Sequence, residues 1–279
     1  MSSAANARQV EYWNGPVGER WASLQESIDL HLGEITGALI RFAAPGQGER
    51  VLDVGCGCGT TTLLLAFRTE PEGAAAGIDI SVPMLNVARA RAMAQNADIV
   101  FVEADASSYE FQPVFDLVFS RFGIMFFADP ASAFTNLRSA LAPGGRLVFV
   151  CWRNFEENHW AFDPFQAARP LLPPQEPADP FAPGPFAFAD GARLRRILVD
   201  AGFARIDIEP FDGSVNMGVT AEDAAAEALN IGPLARAATG LDEAVREKIR
   251  TVVARVYTRY ATPSGVVPPA ACWLVRAMP

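Results

Sequence analysis

Residues 51–60 read Val51-Leu52-Asp53-Val54-Gly55-Cys56-Gly57-Cys58-Gly59-Thr60, an apolar run that closes on an aspartate and passes into alternating glycines. The pattern is that of a buried strand feeding a tight turn into a helix. Glycine lacks a Cβ, so glycines at every second position let main-chain atoms approach a ligand and adopt dihedrals that other residues resist. A helix opening near Thr60 would point its unpaired N–H groups into the same space. The dinucleotide-binding fingerprint G-x-G-x-x-G is not met, because the sixth position is Thr60 counted from Gly55 and Thr62 counted from Gly57. A second apolar run over 74–80 carries Asp79 near its end, where a carboxylate can accept from both hydroxyls of a ribose.

Five segments resemble, in order, the motifs of class I S-adenosylmethionine-dependent methyltransferases. Asp53 to Gly59 resembles the first motif, Gly77-Ile78-Asp79-Ile80-Ser81 the second and Glu103-Ala104-Asp105-Ala106 the third. Phe115 to Phe122 resembles the fourth strand, and Leu141 to Leu147 the turn into the fifth. Within that family the similarity is to bacterial small-molecule methyltransferases of the ubiquinone/menaquinone-biosynthesis type. The resemblance implies an α/β, Rossmann-like fold: a seven-stranded, mostly parallel sheet, helices on both faces, and a last strand inserted antiparallel between strands five and six. It also implies S-adenosylmethionine as cofactor and S-adenosylhomocysteine as product. Gly55, Cys56, Gly57 and Gly59, with Asp53 nearby, are expected to take the methionine end. Asp79 would hold the ribose, and Asp105 with the Ala106 backbone the adenine amino edge. Ile80 and Met84 would flank the adenine, and the Ser120 carbonyl would face the reacting methyl. Ser120-Arg121-Phe122-Gly123 is not the Asn/Asp-Pro-Pro-Tyr signature of amino-methylating DNA and glutamine methyltransferases.

The 279 residues, half of them hydrophobic, suffice for one large core or a core with a lid. A net charge of −9 argues against a nucleic-acid substrate, since phosphate binding draws on Lys and Arg fields. Neither a signal-type N-terminus nor an apolar run of about 20 residues is present, so no membrane partner and a cytoplasmic location are expected. Four cysteines without C-x-x-C spacing and two histidines argue against a metal centre or a disulfide framework. Cys56 and Cys58 read as small packing residues within the turn.

Alternating strand and helix patterns divide the chain into a core over 45–153 and a core helix with strand six over 191–212, with a last strand over 269–279. Outside this core, 1–44 reads as a helical flap. Trp21, Leu24, Ile28, Leu32, Ile35, Leu39 and Phe42 recur at steps of three and four and predict one amphipathic helix over 19–43. Tyr12-Trp13-Asn14-Gly15-Pro16 reads as an aromatic turn ahead of it. A flap over the cofactor mouth and a simple N-terminal staple both fit. The stretch 154–190 carries prolines at 164, 170, 173, 174, 177, 180, 183 and 185 and phenylalanines at 162, 165, 181, 186 and 188, which predicts an ordered cover without regular helix. Helical patterns at 220–230 and 242–260 predict a cap within 213–268. The stripe Val245, Ile249, Val252, Val253, Val256 and Tyr260 fits either closure over a small-molecule substrate or a homodimer face.

The reaction implied is an in-line displacement at an activated sulfonium methyl, for which alignment of the reactants supplies most of the effect. A general base is needed only where the nucleophile carries a proton. His31 and His159 are candidates for that role, each with the alternative of a satisfied structural histidine. Arg121 is a candidate clamp for a substrate carboxylate, with an ion pair to Asp129 or Asp116 as the alternative. The acceptor atom is open among O, N, C and S. A non-catalytic binding protein for the same cofactor, or an enzyme using it for other chemistry, has the same motifs.

Overall fold

The computed structural model describes residues 6–175 and 179–279. Met1 to Ala5 of the expected flap and Pro177 of the expected cover lie outside the described residues. Seven strands form the central sheet: β1 (Arg50–Val54), β2 (Ala74–Asp79), β3 (Val100–Glu103), β4 (Phe115–Arg121), β5 (Leu141–Trp152), β6 (Arg205–Ser214) and β9 (Pro269–Met278). Their spatial order is β3-β2-β1-β4-β5-β9-β6. The strands from β3 to β5 run parallel, and β9 is antiparallel to both β5 and β6, as the resemblance implies. The remaining two strands, β7 (Ala261–Thr262) and β8 (Gly265–Val266), make a small hairpin ahead of β9.

The interior strands are buried on both faces by α5 (Thr60–Thr69), α6 (Val82–Ala94), α7 (Pro130–Ser139) and α9 (Gly191–Asp200). Local chemistry sets their starts. Asp129 accepts from the Ser132 N–H at 3.1 Å and Pro130 supplies the first turn of α7, while Asp190 accepts from the Ala192 and Arg193 N–H groups to open α9. Chain order reverses between β1 and β4, and this switch point opens a crevice at the carboxyl ends of β1, β2 and β4.

The N-terminal segment differs from the single helix expected. It is four helices: α1 (Ala7–Asn14), α2 (Pro16–Ser23), α3 (Gln25–His31) and α4 (Gly33–Ala43). The aromatic turn is the end of α1, a break at extended Gly15, and Pro16 opening α2. At Leu24 and Leu32 the chain bends to ψ of 14° and 7°, yet the one-turn hydrogen bonds run on through both joints, from Leu24 N–H to Arg20 C=O and from Leu32 N–H to Ile28 C=O. The apolar stripe therefore stays continuous and curves around the crevice, which a straight helix would cross at one point only.

The proline-rich stretch also departs from expectation, since it holds a regular helix, α8 (His159–Ala168), with Pro164 inside it. Proline lacks the N–H that would donate to the carbonyl four residues back, that of Trp160. The Tyr257 hydroxyl donates to this carbonyl at 2.8 Å, so the freed acceptor is satisfied from a neighbouring helix. Around α8 the aromatics are packed as a cover: Phe155 meets Phe162, Phe165 and Phe186 at ring separations of 5.1–5.6 Å, and Phe188 meets Phe134. Between β6 and β9 lie α10 (Ala221–Ala228), α11 (Gly232–Ala237) and α12 (Glu243–Tyr257), with α12 packed on α8 and α10. Cover and cap are one helical layer on the edge of the crevice. Among the described residues no helix is long and apolar enough to cross a membrane.

Candidate functional site

The turn after β1 is shaped by three glycines with φ of 66°, 53° and 78° at Gly55, Gly57 and Gly59, each in the region that disfavours other residues. Their uses differ. A Cβ at Gly55 would stand 2.7 Å from the Gly123 Cα, and one at Gly59 would stand 2.9 Å from the Ala88 Cβ, so both serve close packing within the protein. Gly57 has nothing nearer than the Met84 sulfur at 3.7 Å, and its open face looks into the crevice. The crevice encloses about 220 Å³ and is walled by Gly55, Cys56, Gly57, Asp79, Ile80, Met84, Asp105, Ala106 and Arg121 from the core, all expected from the sequence. Gly59 lies outside the wall, against α6.

Asp79 holds this geometry as well as lining it. Its Oδ2 accepts from the Gly57 N–H and its Oδ1 from the Ser81 N–H, both at 2.8 Å, so the carboxylate ties the glycine turn to the start of α6. Burial pushes its pKa up against the pull of those N–H groups. Asp105 accepts from the Ser107 N–H and hydroxyl at 2.9 and 2.7 Å through Oδ1, while its buried Oδ2 has no partner. A buried carboxylate oxygen left open on a cavity wall is an acceptor set out for a ligand donor.

The same property recurs around the wall. Asn6 Oδ1, Gln9 Oε1 and His31 Nδ1 are likewise buried and unpartnered, and all three residues line the crevice. Elsewhere among the described residues only Asp53 Oδ1, Arg153 Nε and Arg276 Nε share that state. Beside the glycine turn stands a charged pair missed by sequence reasoning. Asp29 of α3 accepts from Thr60 Oγ1 at 2.7 Å and from Gln25, and lies 3.2 Å from Arg91 and 3.7 Å from Arg121. Asp29 is a polar residue between members of an apolar stripe, and nothing in its spacing distinguishes it from a solvated one.

Several expected positions fall elsewhere. Asp53 is behind the turn, 1% exposed and off the wall; its Oδ2 accepts from Thr61 and Thr62 hydroxyls at 2.6 and 2.7 Å, fastening the first turn of α5 to β1. Burial lifts its pKa to about 6, partly opposed by those hydroxyls and by Arg121. Ser120 also lies beneath the wall, donating to the Val54 carbonyl at 2.7 Å, and the wall of β4 begins at Arg121. Arg121 binds Thr36 Oγ1 at 2.9 Å and faces Asp29; neither expected partner is used, because Asp116 pairs with Arg50 and Asp129 caps α7. His159 is remote from the crevice: it is on the outer side of α8, half-exposed, 3.1 Å from Asp163, which also takes Arg259 and Tyr260. His31 does line the crevice and is 5% exposed.

Three groups close the crevice. Trp13 packs edge-on against Trp21 and Phe126 at 5.6 and 5.1 Å, and its carbonyl accepts from Ser81 at 2.7 Å. The Asn14 side chain donates to the Ile80 carbonyl at 2.8 Å and accepts from the Val82 N–H at 2.9 Å. Phe122 adopts a φ of 64°, strained for a bulky residue, and is held by stacking on Trp152 at 4.2 Å; the turn so made brings Gly123 against Gly55. Trp152, Trp160, Val215, Met217 and Ile231 then line the end nearest the cap, an apolar chamber continuous with the polar end at the glycine turn. Among the described residues no group of three or more His, Cys, Asp or Glu is placed to hold a metal.

Residues 51–145 match the family model described as a methyltransferase domain. Over 67 residues the chain is 43% identical to the demethylmenaquinone methyltransferase of Thermus thermophilus, covering 24% of this chain and 30% of that protein. The chain thus spans under a third of the length of the curated relative it matches. The solved YcgJ protein of Bacillus subtilis superposes with a TM-score of 0.58 at 15% identity, over 88% of this chain and 97% of that one. Phosphoethanolamine N-methyltransferase 2 of Haemonchus contortus, solved in complex with S-adenosyl-L-methionine, does so with a TM-score of 0.54 at 21% identity, over 88% of this chain and 52% of that one. The central sheet and its flanking helices have the class I methyltransferase fold.

Proposed function

We propose that this chain, whose residues 51–145 match the model of a methyltransferase domain, transfers a methyl group from S-adenosylmethionine to a small apolar or aromatic acceptor held under the cap. The observation that carries the reading is the unpartnered Oδ2 of Asp105, one strand end away from Asp79 and across the wall from the glycine turn. The polar groups of the wall would serve the cofactor from end to end. Asp105 Oδ2 would accept from the adenine amino group, with Ile80 and Met84 on the ring faces. Asp79 retains acceptor capacity for the ribose hydroxyls beyond the two N–H groups it already holds. At the far end Arg121 and Asp29, a cation and an anion 3.7 Å apart beside Gly57, suit the two charges of a free amino acid.

When bound, the sulfonium supplies an activated methyl; the chain's own contribution is alignment and exclusion of water. The polar end orients one reactant, and the apolar chamber of Trp152, Trp160, Met217 and Ile231 orients the other. Alignment of this kind is worth up to about 7–11 kcal/mol of barrier. The aromatic and aliphatic character of the chamber supports an apolar or aromatic acceptor over a polyanion, as does the net charge of −9. The test is a thermal-shift titration with S-adenosylhomocysteine, followed by incubation of the protein with labelled methyl donor and a panel of small acceptors. Stabilisation together with label transfer supports the proposal; stabilisation with no transfer to any acceptor leaves a binding protein in its place.

A further inference from the structure

His31 ends α3 where the N-terminal helices meet the cap. Its Nε2 lies 3.2 Å from Ser27 Oγ one turn earlier, and Ser27 Oγ donates at 2.9 Å to Glu227 Oε1 on α10. A hydroxyl has one proton to give. Given to Glu227, it leaves Ser27 only lone pairs toward the imidazole, so the hydrogen-bond chain places the ring proton on Nε2. Nδ1 then carries the ring's basic lone pair, and it has no hydrogen-bond partner. Glu227 Oε1 stands 3.7 Å from that same nitrogen. His31, a wall residue, is thus a neutral imidazole whose buried Nδ1 is unengaged, with a carboxylate beside it placed to balance the charge once a proton arrives.

Resting on the methyl-transfer reading above, we infer that the acceptor carries a phenol or enol hydroxyl and that His31 Nδ1 takes its proton as transfer proceeds. The oxygen lone pair forms the new O–C bond. The methyl carbon–sulfur bond breaks with its electron pair on sulfur, and the hydroxyl proton passes to Nδ1. His31 becomes an imidazolium beside Glu227 and returns its proton to solvent after product leaves. An amine acceptor attacks in its neutral form and sheds its proton afterwards, and a thiol of pKa about 8.5 ionises largely unaided. An aliphatic hydroxyl is too weak an acid for imidazole, whereas a phenol near pKa 10 is within its reach. The aromatic walls of Trp152 and Trp160 fit such a ring.

The charged groups around the imidazole favour this resting state. Glu227 is the charge that faces it from α10; Asp29, on its own helix, lies 3.2 Å from Arg91 and 3.7 Å from Arg121. Burial lowers the His31 pKa and Glu227 opposes that shift, so the ring is neutral near pH 7. Glu227 is a positioning residue acting through His31.

The test compares the wild-type chain, His31→Gln and Glu227→Gln at pH 8 with 4-methylphenol, still protonated there, and 4-nitrophenol, largely ionised there. S-adenosylhomocysteine binding is measured on each protein. His31→Gln is expected to keep that affinity within twofold and to lose about 100-fold or more in kcat/KM for 4-methylphenol, the size of a lost general base. Its loss for 4-nitrophenol should be no more than about threefold, because no proton needs removing. Wild-type kcat/KM for 4-methylphenol should fall through an acid limb below pH 6.5, and Glu227→Gln should move that limb to lower pH. A limb unmoved by Glu227→Gln, or equal losses on both phenols in His31→Gln, overturns the inference. Transfer to aniline or thiophenol with none to either phenol overturns it while leaving the methyl-transfer reading intact. Binding without transfer to any acceptor defeats that reading instead.

Discussion

The Tyr257 hydroxyl donates at 2.8 Å to the carbonyl of Trp160, the acceptor that Pro164 leaves without its helical donor. One bond thereby lets a proline sit inside α8, ties α8 to α12, and fixes Trp160 in the chamber wall. Burial pushes the Tyr257 phenol well above its usual pKa, so it stays protonated and a donor across the working range.

Tyr257→Phe should therefore destabilise the chain by about 1–3 kcal/mol, the cost of a buried carbonyl left without a donor. Chemical denaturation of the two proteins measures it. A change below about 0.5 kcal/mol would mean that water or a shifted backbone replaces the bond.

Asp105→Ala and Asp79→Ala should separate binding from architecture. Asp105 keeps one oxygen for Ser107 and leaves the other open, so its loss should weaken S-adenosylhomocysteine binding by about 1.5–3 kcal/mol with little change in melting temperature. Asp79 also fastens Gly57 and Ser81, so its loss should weaken binding by at least as much and lower the melting temperature too. Calorimetry and differential scanning on both variants distinguish the two patterns.

Asp53 should make stability depend on pH in an unusual direction. Its pKa rises to about 6 in the folded chain, against about 3.9 when unfolded, so between those values the folded state binds more protons than the unfolded state. The stability it contributes is complete below pH 3.9 and is lost as pH rises through about 6, a change of up to about 3 kcal/mol. Asp53→Asn keeps an acceptor for Thr61 and Thr62 without titrating. In ligand-free protein, the stability of Asp53→Asn relative to wild type should thus climb from pH 4 to pH 7 and level off above. A flat difference would mean that Asp53 does not titrate in that window.

Asn14→Ala removes both bonds that hold the end of α1 to the loop between β2 and α6. Because the large buried side chains Ile35 and Leu39 belong to α4, the sheet and its core should survive. S-adenosylhomocysteine affinity should fall by about 1–2 kcal/mol while the melting temperature moves by only a few degrees. A drop in melting temperature without a drop in affinity would make the segment a staple rather than a flap.

The interior strands were legible in the sequence because they are buried on both faces and therefore appear as apolar runs, with Asp79 and Arg121 reaching the crevice wall at the ends of β2 and β4. The places of Asp79 and Asp105 on the crevice wall were legible through motif order. The places of Asp53 and Ser120 beneath the wall were not, since one residue of register decides whether a strand-end side chain faces the crevice or the layer beneath. Asn6, Gln9 and Asp29 reach the wall from a segment that breaks at Gly15 and bends at Leu24 and Leu32, and no spacing rule encodes a bend whose hydrogen bonds continue through it. The helix through Pro164 depended on a donor to the Trp160 carbonyl from 97 residues away in sequence, at Tyr257. Local propensity cannot carry such information.

The most direct test of the central claim, that Gly57, Asp79 and Asp105 form the seat of an adenosyl amino acid, is isothermal titration of the purified chain with S-adenosylhomocysteine. One-to-one binding, weakened by Asp105→Ala in a chain that still melts like wild type, is the expected result. No heat with either this ligand or S-adenosylmethionine would contradict it.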